Sequence, residues 1–355
     1  MIDLAGRDLA GLETAVAELG DRAFRARQIY RWLYARKVAD FALMTDLSQA
    51  LRDKLGASAR VGFPAVVDRL PAGDGTVRYA YALDDGLRTE SVYIPGEDDR
   101  ATLCLSSQVG CALACRFCLS GATGLKRDLS PGEIVGQAWT MLREAPPLVR
   151  VNIVFMGIGE PLDNFAAVSA AWRLLGDPRG FAIALKRMTV STAGHVPSIE
   201  RLGALEDRPR LAVSLNATTD ETRSALMPIN RAWPIARLLA AVRAFPLKRN
   251  ERVTFEYVLL SGVNDSDEDA RRLGPLLAGI PAKINLIPWN PSPGLPYAGP
   301  SEERVDRFAG LLWMQEATVT VRRRRGGDVA AACGQLSFLP RAADDAGPAR
   351  AGATR

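Results

Sequence analysis

From residue 101 onward, short apolar segments alternate with longer stretches in which apolar residues recur at helical spacing. The apolar segments have the length of strands, and the stretches between most of them, roughly ten to fifteen residues, have the length of helices. This alternation predicts right-handed crossovers and a parallel sheet, either open or curved into a barrel. In both arrangements, functional residues gather at the carboxyl ends of the strands. The predicted strands are ATLCLSS, RVNIVFMG, RMTVSTAG, RLAVSL, VTFEYVLLSG, AKINLIPW and ATVTVR.

The chain before residue 101 shows two other patterns. The first sixty residues are predicted to be helical: AFRARQIYRWLYARK has apolar residues at helical spacing, and MTDLSQALRDKLGA begins with a candidate N-cap, Thr45, and ends at Gly56. The segments VRYAYAL and RTESVYIP, broken by the turn-forming AGDG and DDG, predict strands. We therefore predict a helical module over 1–60, a β extension over 61–100, an α/β core over 101–338 and a disordered tail over 339–355.

The composition is that of an ordinary globular protein, with 355 residues, 45 Lys and Arg, and 40 Asp and Glu. The first residues lack the order of a signal peptide and no apolar run could span a bilayer, so we expect a cytoplasmic protein without membrane contact. In that compartment, clustered cysteines more often bind metal or do redox chemistry than form structural disulfides. The densest basic run, Arg322 to Gly327, is either a solvated face or a phosphate-binding segment.

Three of the five cysteines lie in one loop, CALACRFCLSG, directly after the first strand of the core. Cys111, Cys115 and Cys118 can ligate three irons of an iron–sulfur cube and leave the fourth iron open to a small molecule. The alternatives are a structural zinc site, completed by Cys104 or His195, and a set of inert buried thiols. Zinc sites generally use two separated ligand pairs, whereas this sequence has one tight triplet, so the cube is favoured.

The C-x3-C-x2-C spacing, with Phe117 before the last cysteine, resembles the signature of radical S-adenosylmethionine (SAM) enzymes, where SAM occupies the open iron. GIGEP, at residues 157–161, resembles the family element that receives the SAM amino group. VSTAG, SLN and PWNP end later strands and offer small polar groups for ribose, carboxylate or adenine. Each segment alone is more typical of a cap or turn, but four at successive strand ends favour a SAM site. The candidate SAM-binding residues are Gly159, Glu160, Ser191, Ser214, Leu215, Asn216 and Asn290.

Four longer segments, ATLCLSSQVGCALACRFC, MGIGEPLDN, INLIPWNPSPG and AACGQL, together resemble the RlmN and Cfr family of radical SAM RNA adenine methyltransferases. The resemblance extends from the N-terminal helices to about residue 336. It implies a radical SAM partial (β/α)6 barrel with an N-terminal helical, RNA-binding accessory domain and a small β extension. It also implies methylation of carbon 2 of an adenosine in 23S rRNA, at the peptidyl transferase centre. For RlmN members it further implies methylation of the adenosine 3′ to the anticodon in some tRNAs.

The resemblance also implies a role for every cysteine. One SAM methylates Cys333, and a second SAM is cleaved at a 4Fe-4S cluster on the three loop cysteines to give the radical that activates this methyl group. The carbon radical adds to the adenine ring, which a polar methyl transfer could not attack because carbon 2 is electron-poor. Glu90 then removes the ring proton, and Cys104 releases the product by forming a transient disulfide with Cys333. The implied electron donor is a protein such as flavodoxin or ferredoxin, and we expect a monomer.

Some residues depart from the family pattern or stand apart from it. The chain reads SLN where family members commonly read SLH, but Asn216 can still donate and accept hydrogen bonds, so a SAM contact is expected to survive. His195 is predicted to start a helix or lie at the surface, because the family does not rely on this position. The candidate phosphate partners for RNA are Arg25, Arg27, Arg31 and Arg36 in the helical module and Arg322 to Arg325 near Cys333.

Two rival functions remain open on the sequence. The first is methylation of carbon 8, as in Cfr; the five cysteines are common to both activities, whereas the complete N-terminal module and INLIPWNP favour RlmN. The second is a non-catalytic metal-containing RNA-binding protein, which would hold metal without turning over SAM. That reading does not explain why Cys104 and Cys333 lie so far apart around the triplet and the strand-end segments.

Overall fold

The computed structural model of the protein describes residues 1–292, 294–322, 326, 329 and 334–336. Its strands are β1 Ile2–Asp3, β2 Ala59–Arg60, β3 Ala65–Pro71, β4 Val77–Ala82, β5 Arg88–Pro95, β6 Arg100–Cys104, β7 Gln108–Val109, β8 Arg127–Asp128, β9 Arg150–Phe155, β10 Met188–Thr192, β11 Arg210–Ser214, β12 Val253–Leu259, β13 Ala282–Pro288 and β14 Val319–Val321. Its α-helices are α1 Leu9–Glu18, α2 Phe24–Tyr30, α3 Gln49–Ser58, α4 Leu119–Ala122, α5 Pro131–Glu144, α6 Phe165–Gly176, α7 Val196–Gly203, α8 Asp220–Leu226, α9 Ile235–Ala244, α10 Asp267–Leu276 and α11 Glu302–Trp313. A π-helical turn, Arg31–Ala35, extends α2, and 3-10 turns occupy Phe41–Leu43, Leu185–Arg187 and Pro228–Arg231.

The centre of the fold is one sheet with the strand order β14-β13-β12-β11-β10-β9-β6-β5-β4-β3. The strands β6 and β9 to β14 are parallel, and all seven correspond to the strands predicted from the sequence. The strands β3 to β5 continue the same sheet in antiparallel fashion, so the β extension is joined to the core along β6. Helices follow the parallel strands in turn, as the alternating pattern predicts. The predicted division into four parts stays a prediction.

The two faces of the parallel sheet differ in polarity. Residues paired across neighbouring strands point to the same side of a sheet, and alternate residues point to opposite sides. One face is apolar and packs in the hydrophobic core, since it carries Leu103, Ile153, Val190, Leu211, Val213, Phe255 and Ile284. The other face carries polar side chains. Cys104, Ser191 and Ser214 lie at or next to the carboxyl ends of their strands, whereas Glu256, Asn285 and Thr320 lie in the middle of theirs. This polar face is where the parallel strands can hold a ligand.

The helical module contains a pair of strands that the sequence pattern missed. The two-residue strands β1 and β2 pair in parallel and bring the two ends of the module together. The module is bound to the core, because the indole N–H of Trp139 in α5 donates to the carbonyl of Leu33 at 2.8 Å. Strands this short carry no readable alternation, so only the tertiary contact defines them.

The helix α3 begins three residues later than predicted. Its N-cap is Ser48 and not Thr45, since Ser48 Oγ accepts a hydrogen bond from the N–H of Leu51 at 3.3 Å. This start places Leu51 and Leu55 on one buried face. The helix also continues through Gly56 and ends at Ser58, directly before β2.

The cap makes a testable difference between two hydroxyl residues. We expect Ser48→Ala to lower the free energy of unfolding by about 1 kcal/mol, because the N–H of Leu51 loses its partner. Thr45→Ala, at an exposed position before the cap, is the control and should change it by less than about 0.5 kcal/mol. Urea unfolding of the two variants measures both values, and a larger loss for Thr45→Ala would contradict this assignment.

Among the described residues, none of the helices has both the length and the apolar character that crossing a bilayer requires. The tail predicted to be disordered, residues 339–355, lies outside the described residues.

Candidate active site

A cleft opens at the carboxyl ends of the parallel strands, where the sequence predicted function. The space in it that a water-sized sphere can occupy is about 160 Å³. Its walls come from the cysteine loop, the loop after β9 and the ends of β10 to β13. The predicted site residues that line it are Cys111, Cys115, Cys118, Gly159, Glu160, Ser191, Ser214 and Asn216.

The cysteine loop is closed by a short antiparallel pair, β7 with β8, and by backbone bonds across it. The N–H of Cys111 donates to the carbonyl of Gly124 at 3.3 Å, and the N–H of Cys118 donates to that of Cys115 at 3.1 Å. Ala114 has a φ of 51°, a left-handed conformation that is uncommon for a residue with a Cβ and that tends to occur at functional sites. The loop therefore turns tightly enough to present three thiols to one cleft.

The three thiols fit an iron–sulfur cluster by donor type and number. Burial raises the pKa of Cys111 to about 12 and that of Cys115 further above its usual range, so both thiols stay protonated at neutral pH until a metal displaces the protons. In the part of the chain that the structure describes, no three Cys, His, Asp or Glu side chains are placed to share a single metal ion. In a 4Fe-4S cube each thiolate binds a different iron, so three thiols on one loop are suitable ligands for such a cube.

Glu160, the acidic residue of the GIGEP loop, is buried at the wall of the cleft. Its Oε2 accepts from the N–H of Ala193 at 2.8 Å, and its Oε1 accepts from the N–H of Leu162 at 3.2 Å. Its own N–H donates to Oε1 of Gln108 at 2.8 Å. Burial raises the pKa of Glu160 to about 7. A carboxyl group fixed in this way can accept a hydrogen bond from an ammonium group in the cleft.

Asn216 lines the cleft, and its side chain also makes two hydrogen bonds within the protein. Its Oδ1 accepts from the N–H of Val258 at 2.8 Å, and its Nδ2 donates to the sulfur of Met227 at 3.2 Å. Its φ of 56° is left-handed, and Asn is among the residues that adopt this conformation most readily. Asn216 therefore fixes the loop after β11 against β12, and its contact with SAM stays a prediction.

Two further residues predicted to bind SAM, Leu215 and Asn290, are buried next to the cleft but are not among the described residues that line it. The N–H of Leu215 donates to the carbonyl of Glu256 at 3.0 Å. Asn290 follows Trp289, which lines the cleft and whose indole N–H donates to the carbonyl of Phe117 at 3.0 Å. The segment PWNP is thus tied to the cysteine loop.

Cys104 and Glu90 lie on neighbouring strands, on the polar face of the sheet. Val92 pairs with Cys104, and Glu90 lies two residues from Val92 on the same face. Glu90 is buried, and its Oε1 lies 3.7 Å from Nε of the equally buried Arg78. Glu90 and Cys104 are both buried on this face. Neither is among the described residues that line the cleft, whereas the three thiols of the cysteine loop are.

Cys333 lies outside the described residues, but the residues directly after it do not. Gly334 lines the cleft, and its carbonyl accepts from the N–H of Leu119 at 2.8 Å. Two residues on, the carbonyl of Leu336 accepts from Oγ of Ser120 at 2.9 Å. Both donors follow the last loop cysteine directly, so the segment after Cys333 is bound to the cysteine loop.

The candidate RNA contacts in the helical module differ in their surroundings. Arg25 donates to a neighbouring glutamine at 2.9 Å, and Arg36 lies over a tryptophan ring at 3.9 Å. Arg27 and Arg31 are exposed. Arg322 follows β14, whereas Arg323 to Arg325 lie outside the described residues. Arg36 is exposed as well, so exposure does not single out one of these arginines, and their contacts with phosphate stay predictions.

His195 occupies the N-cap position of α7, the helix start predicted for it. Its Nδ1 lies 2.7 Å from Oγ of Ser198, and its ring meets Trp233 edge-on.

Sequence reasoning missed three buried polar residues around the cleft. Gln108 supports Glu160 through its side chain, Arg223 binds the ends of two strands, and Glu256 lines the cleft itself. Gln108 lies within ATLCLSSQVGCALACRFC, one of the segments that resemble the family. Arg223 and Glu256 look like ordinary charged residues of a helix and a strand. Nothing in their local sequence signals burial.

The chain is similar to known proteins over nearly its whole length. Residues 2–61 match the model described as "Ribosomal RNA large subunit methyltransferase N-terminal domain", and residues 105–274 match that of the radical SAM superfamily. The dual-specificity RNA methyltransferase RlmN 2 of Myxococcus xanthus is 50% identical over 348 residues, which cover 95% of this chain and 91% of that protein. RlmN of Geobacter sulfurreducens is 50% identical, with 95% and 92% covered. The crystal structure of a radical SAM methyltransferase from Sphaerobacter thermophilus superposes with a TM-score of 0.91 at 42% identity, covering 96% of this chain and all of that chain.

The fold is that of a radical SAM methyltransferase, which confirms the predicted fold class and the enzyme class. The chain belongs to the RlmN family of dual-specificity RNA methyltransferases. Family membership implies SAM and a 4Fe-4S cluster as cofactors and RNA as the substrate.

Proposed function

We propose that the protein methylates carbon 2 of an adenosine in 23S rRNA at the peptidyl transferase centre, and of the adenosine 3′ to the anticodon in some tRNAs. Cys333 carries the methyl group, and Cys104 releases the product through a transient disulfide. The observation that carries this proposal is the position of Gly334, which follows Cys333 in sequence, lines the cleft and is bonded to the cysteine loop. A methyl carrier must reach the same cleft as the cofactor that activates it.

The residues of the chain divide the work. Cys111, Cys115 and Cys118 hold the cluster, and the cleft residues, with Glu160 first among them, orient SAM. When bound, the two groups supply the methyl group and the radical that activates it. The protein must also turn the target base out of its stack, because a base within RNA structure cannot enter a closed cleft.

The release step uses Glu90 and Cys104, which share one face of neighbouring strands. The adduct gives up its unpaired electron to a one-electron acceptor of the flavodoxin or ferredoxin class, and Glu90 takes the proton from its ring carbon. Cys104 sulfur then attacks Cys333 sulfur, so that an S–S bond forms and the bond from Cys333 to the methylene carbon breaks. The carbon leaves with the electron pair and is protonated to a methyl group. A reductant of the flavodoxin, ferredoxin or thiol class restores the two thiols.

Two cysteine substitutions test the proposal after anaerobic reconstitution. Cys333→Ala should abolish RNA methylation, because no methyl carrier remains. Cys104→Ala should accumulate protein covalently attached to RNA, because the adduct forms but is not resolved. Mass spectrometry of nuclease-digested RNA measures the product, and gel shift under denaturing conditions measures the adduct.

The outcomes separate this function from its rivals. Normal methylation by Cys333→Ala would show that the carrier is wrongly assigned. Product in the form of 8-methyladenosine would overturn the assignment to carbon 2. Metal in the protein without formation of 5′-deoxyadenosine or methylated RNA would favour a non-catalytic RNA-binding protein. Light scattering tests the expected monomer.

A further inference from the structure

One carboxyl group in the cleft has no role in the proposed reaction. Glu256 lies on β12, is 6% exposed and lines the cleft. It pairs directly with Ser214 across the β11–β12 register, so the two polar side chains point to the same side of the sheet. Burying a carboxylate costs free energy unless it has hydrogen-bond partners, so the partners of Glu256 indicate its function.

One oxygen of Glu256 is fixed by neighbouring strands. Asn285 on β13 donates from Nδ2 to Oε2 at 2.6 Å, and Asn285 Oδ1 in turn accepts from Oγ1 of Thr320 on β14 at 3.1 Å. The three residues are paired in register across β12, β13 and β14. This row holds the carboxyl plane in one orientation.

The other oxygen, Oε1, belongs to a side chain that lines the cleft. Among the described residues, no group donates a hydrogen bond to Oε1 of Glu256. This atom is also not one of the fully buried polar atoms that lack a partner, so it is accessible to solvent. Burial raises the pKa of Glu256, while Asn285, Arg322 and Lys283 oppose this rise. Oε1 of Glu256 is therefore an acceptor in a fixed orientation, to which a ligand in the cleft can donate a hydrogen bond.

The chemistry of a nucleoside narrows the donor to a hydroxyl group. A carboxylate offers only acceptors, and on both hydrogen-bonding edges of adenine the amino group lies beside a ring nitrogen whose lone pair would repel the carboxylate. Ribose hydroxyls have no such neighbour, and acidic residues bind them in nucleotide sites. We propose that Glu256 accepts a hydrogen bond from a nucleoside hydroxyl in the cleft and that Asn285 is its positioning residue. This inference rests on the proposed function, because that function brings two nucleosides to the cleft, SAM and the target nucleotide of the RNA.

Binding measurements test this inference without reference to methylation. Dissociation constants of SAM and its 2′-deoxy and 3′-deoxy analogues are measured anaerobically by equilibrium dialysis on the cluster-loaded protein. If the donor is a SAM hydroxyl, the parent should bind one deoxy analogue about ten- to a hundredfold more weakly than SAM. Glu256→Gln should bind SAM about as weakly and show little further loss with that analogue.

The second arm examines the RNA as the source of the hydroxyl group. RNA with a 2′-deoxy target nucleotide is compared with unmodified RNA by fluorescence anisotropy, with the parent and with Glu256→Gln. If the RNA supplies the donor, the deoxy substitution should weaken binding to the parent only, and the SAM arm should show no difference. Asn285→Ala should reduce the same discrimination in whichever arm responds.

Thr254→Val is the matched control, since Thr254 lies on the same face of β12, is buried and is not among the residues that line the cleft. It should melt like Glu256→Gln and retain the full preference for hydroxyl-bearing ligands. If Glu256→Gln does not fold, Asn285→Ala provides the test. Equal losses for hydroxyl-bearing and deoxy ligands, or no loss in either arm, would overturn the inference. Because the readout is binding, failure of methylation by Cys333 would leave this result standing, and the reverse also holds.

Discussion

Replacing Gly159 with alanine is expected to reduce formation of 5′-deoxyadenosine at least about a hundredfold, because the loop that carries Glu160 cannot keep its place. Gly159 has a φ of 104°, and a Cβ added to it would lie 2.6 Å from Cβ of Gln108 and 2.9 Å from the backbone nitrogen of the same residue. The backbone nitrogen cannot move aside, so the two loops must separate. Gln108 then loses its bond to the N–H of Glu160, and the Glu160 carboxyl moves in the cleft.

The measurement is 5′-deoxyadenosine release with excess dithionite, together with the dissociation constant of SAM. Gly279→Ala is the matched control: Gly279 also has a positive φ, 79°, but an added Cβ would meet no atom within 4 Å. Both variants carry backbone strain of about 1–3 kcal/mol, so only the steric effect differs. Activity of Gly159→Ala equal to that of Gly279→Ala would show that the close approach is not required.

Replacing Arg223 with methionine is expected to lower the free energy of unfolding by about 3–5 kcal/mol. Arg223 on α8 is fully buried and donates to the carbonyls of Leu215, Ser214 and Ala193 and to Oδ1 of Asn230, at 2.6 to 3.1 Å. Burial lowers its pKa to about 10, so the guanidinium group remains charged at neutral pH. Methionine has a similar length but no donor, and it would leave buried carbonyl groups without partners.

The expected loss should lower the melting temperature by about 5–10 °C. It should also weaken SAM binding, because Ala193, held by Arg223 through its carbonyl, donates its N–H to Glu160. Arg223→Lys keeps the charge without the planar fork and should be nearly as damaging. Arg231→Met, at an exposed position nearby, should stay within about 0.5 kcal/mol of the parent. A melting temperature of Arg223→Met equal to that of the parent would show that the hydrogen bonds of Arg223 do not stabilise the ends of β10 and β11.

The sequence pattern was sufficient for the elements that carry a long and regular signal. The seven parallel strands are apolar runs bounded by turns, and their alternation with helices limited the fold to a parallel α/β sheet. The pattern missed the two-residue strands β1, β2, β7 and β8, whose signal is short, and it did not single out the seven-residue β3. For α3 the sequence predicted Thr45 as the cap, whereas in the structure Ser48 caps the helix by accepting from the N–H of Leu51.

The sequence by itself determined those features of the cleft that depend only on the spacing of residues along the chain. Cys111, Cys115 and Cys118 are close in sequence, so one loop brings them together whatever surrounds it. The tertiary structure alone decided the contacts between residues far apart in sequence: Gly334 with the cysteine loop, Arg223 with two strand ends, and Glu256 with Asn285. Their partners are set by strand register and chain crossover, and no local pattern records which carbonyl or carboxyl group a buried donor will meet.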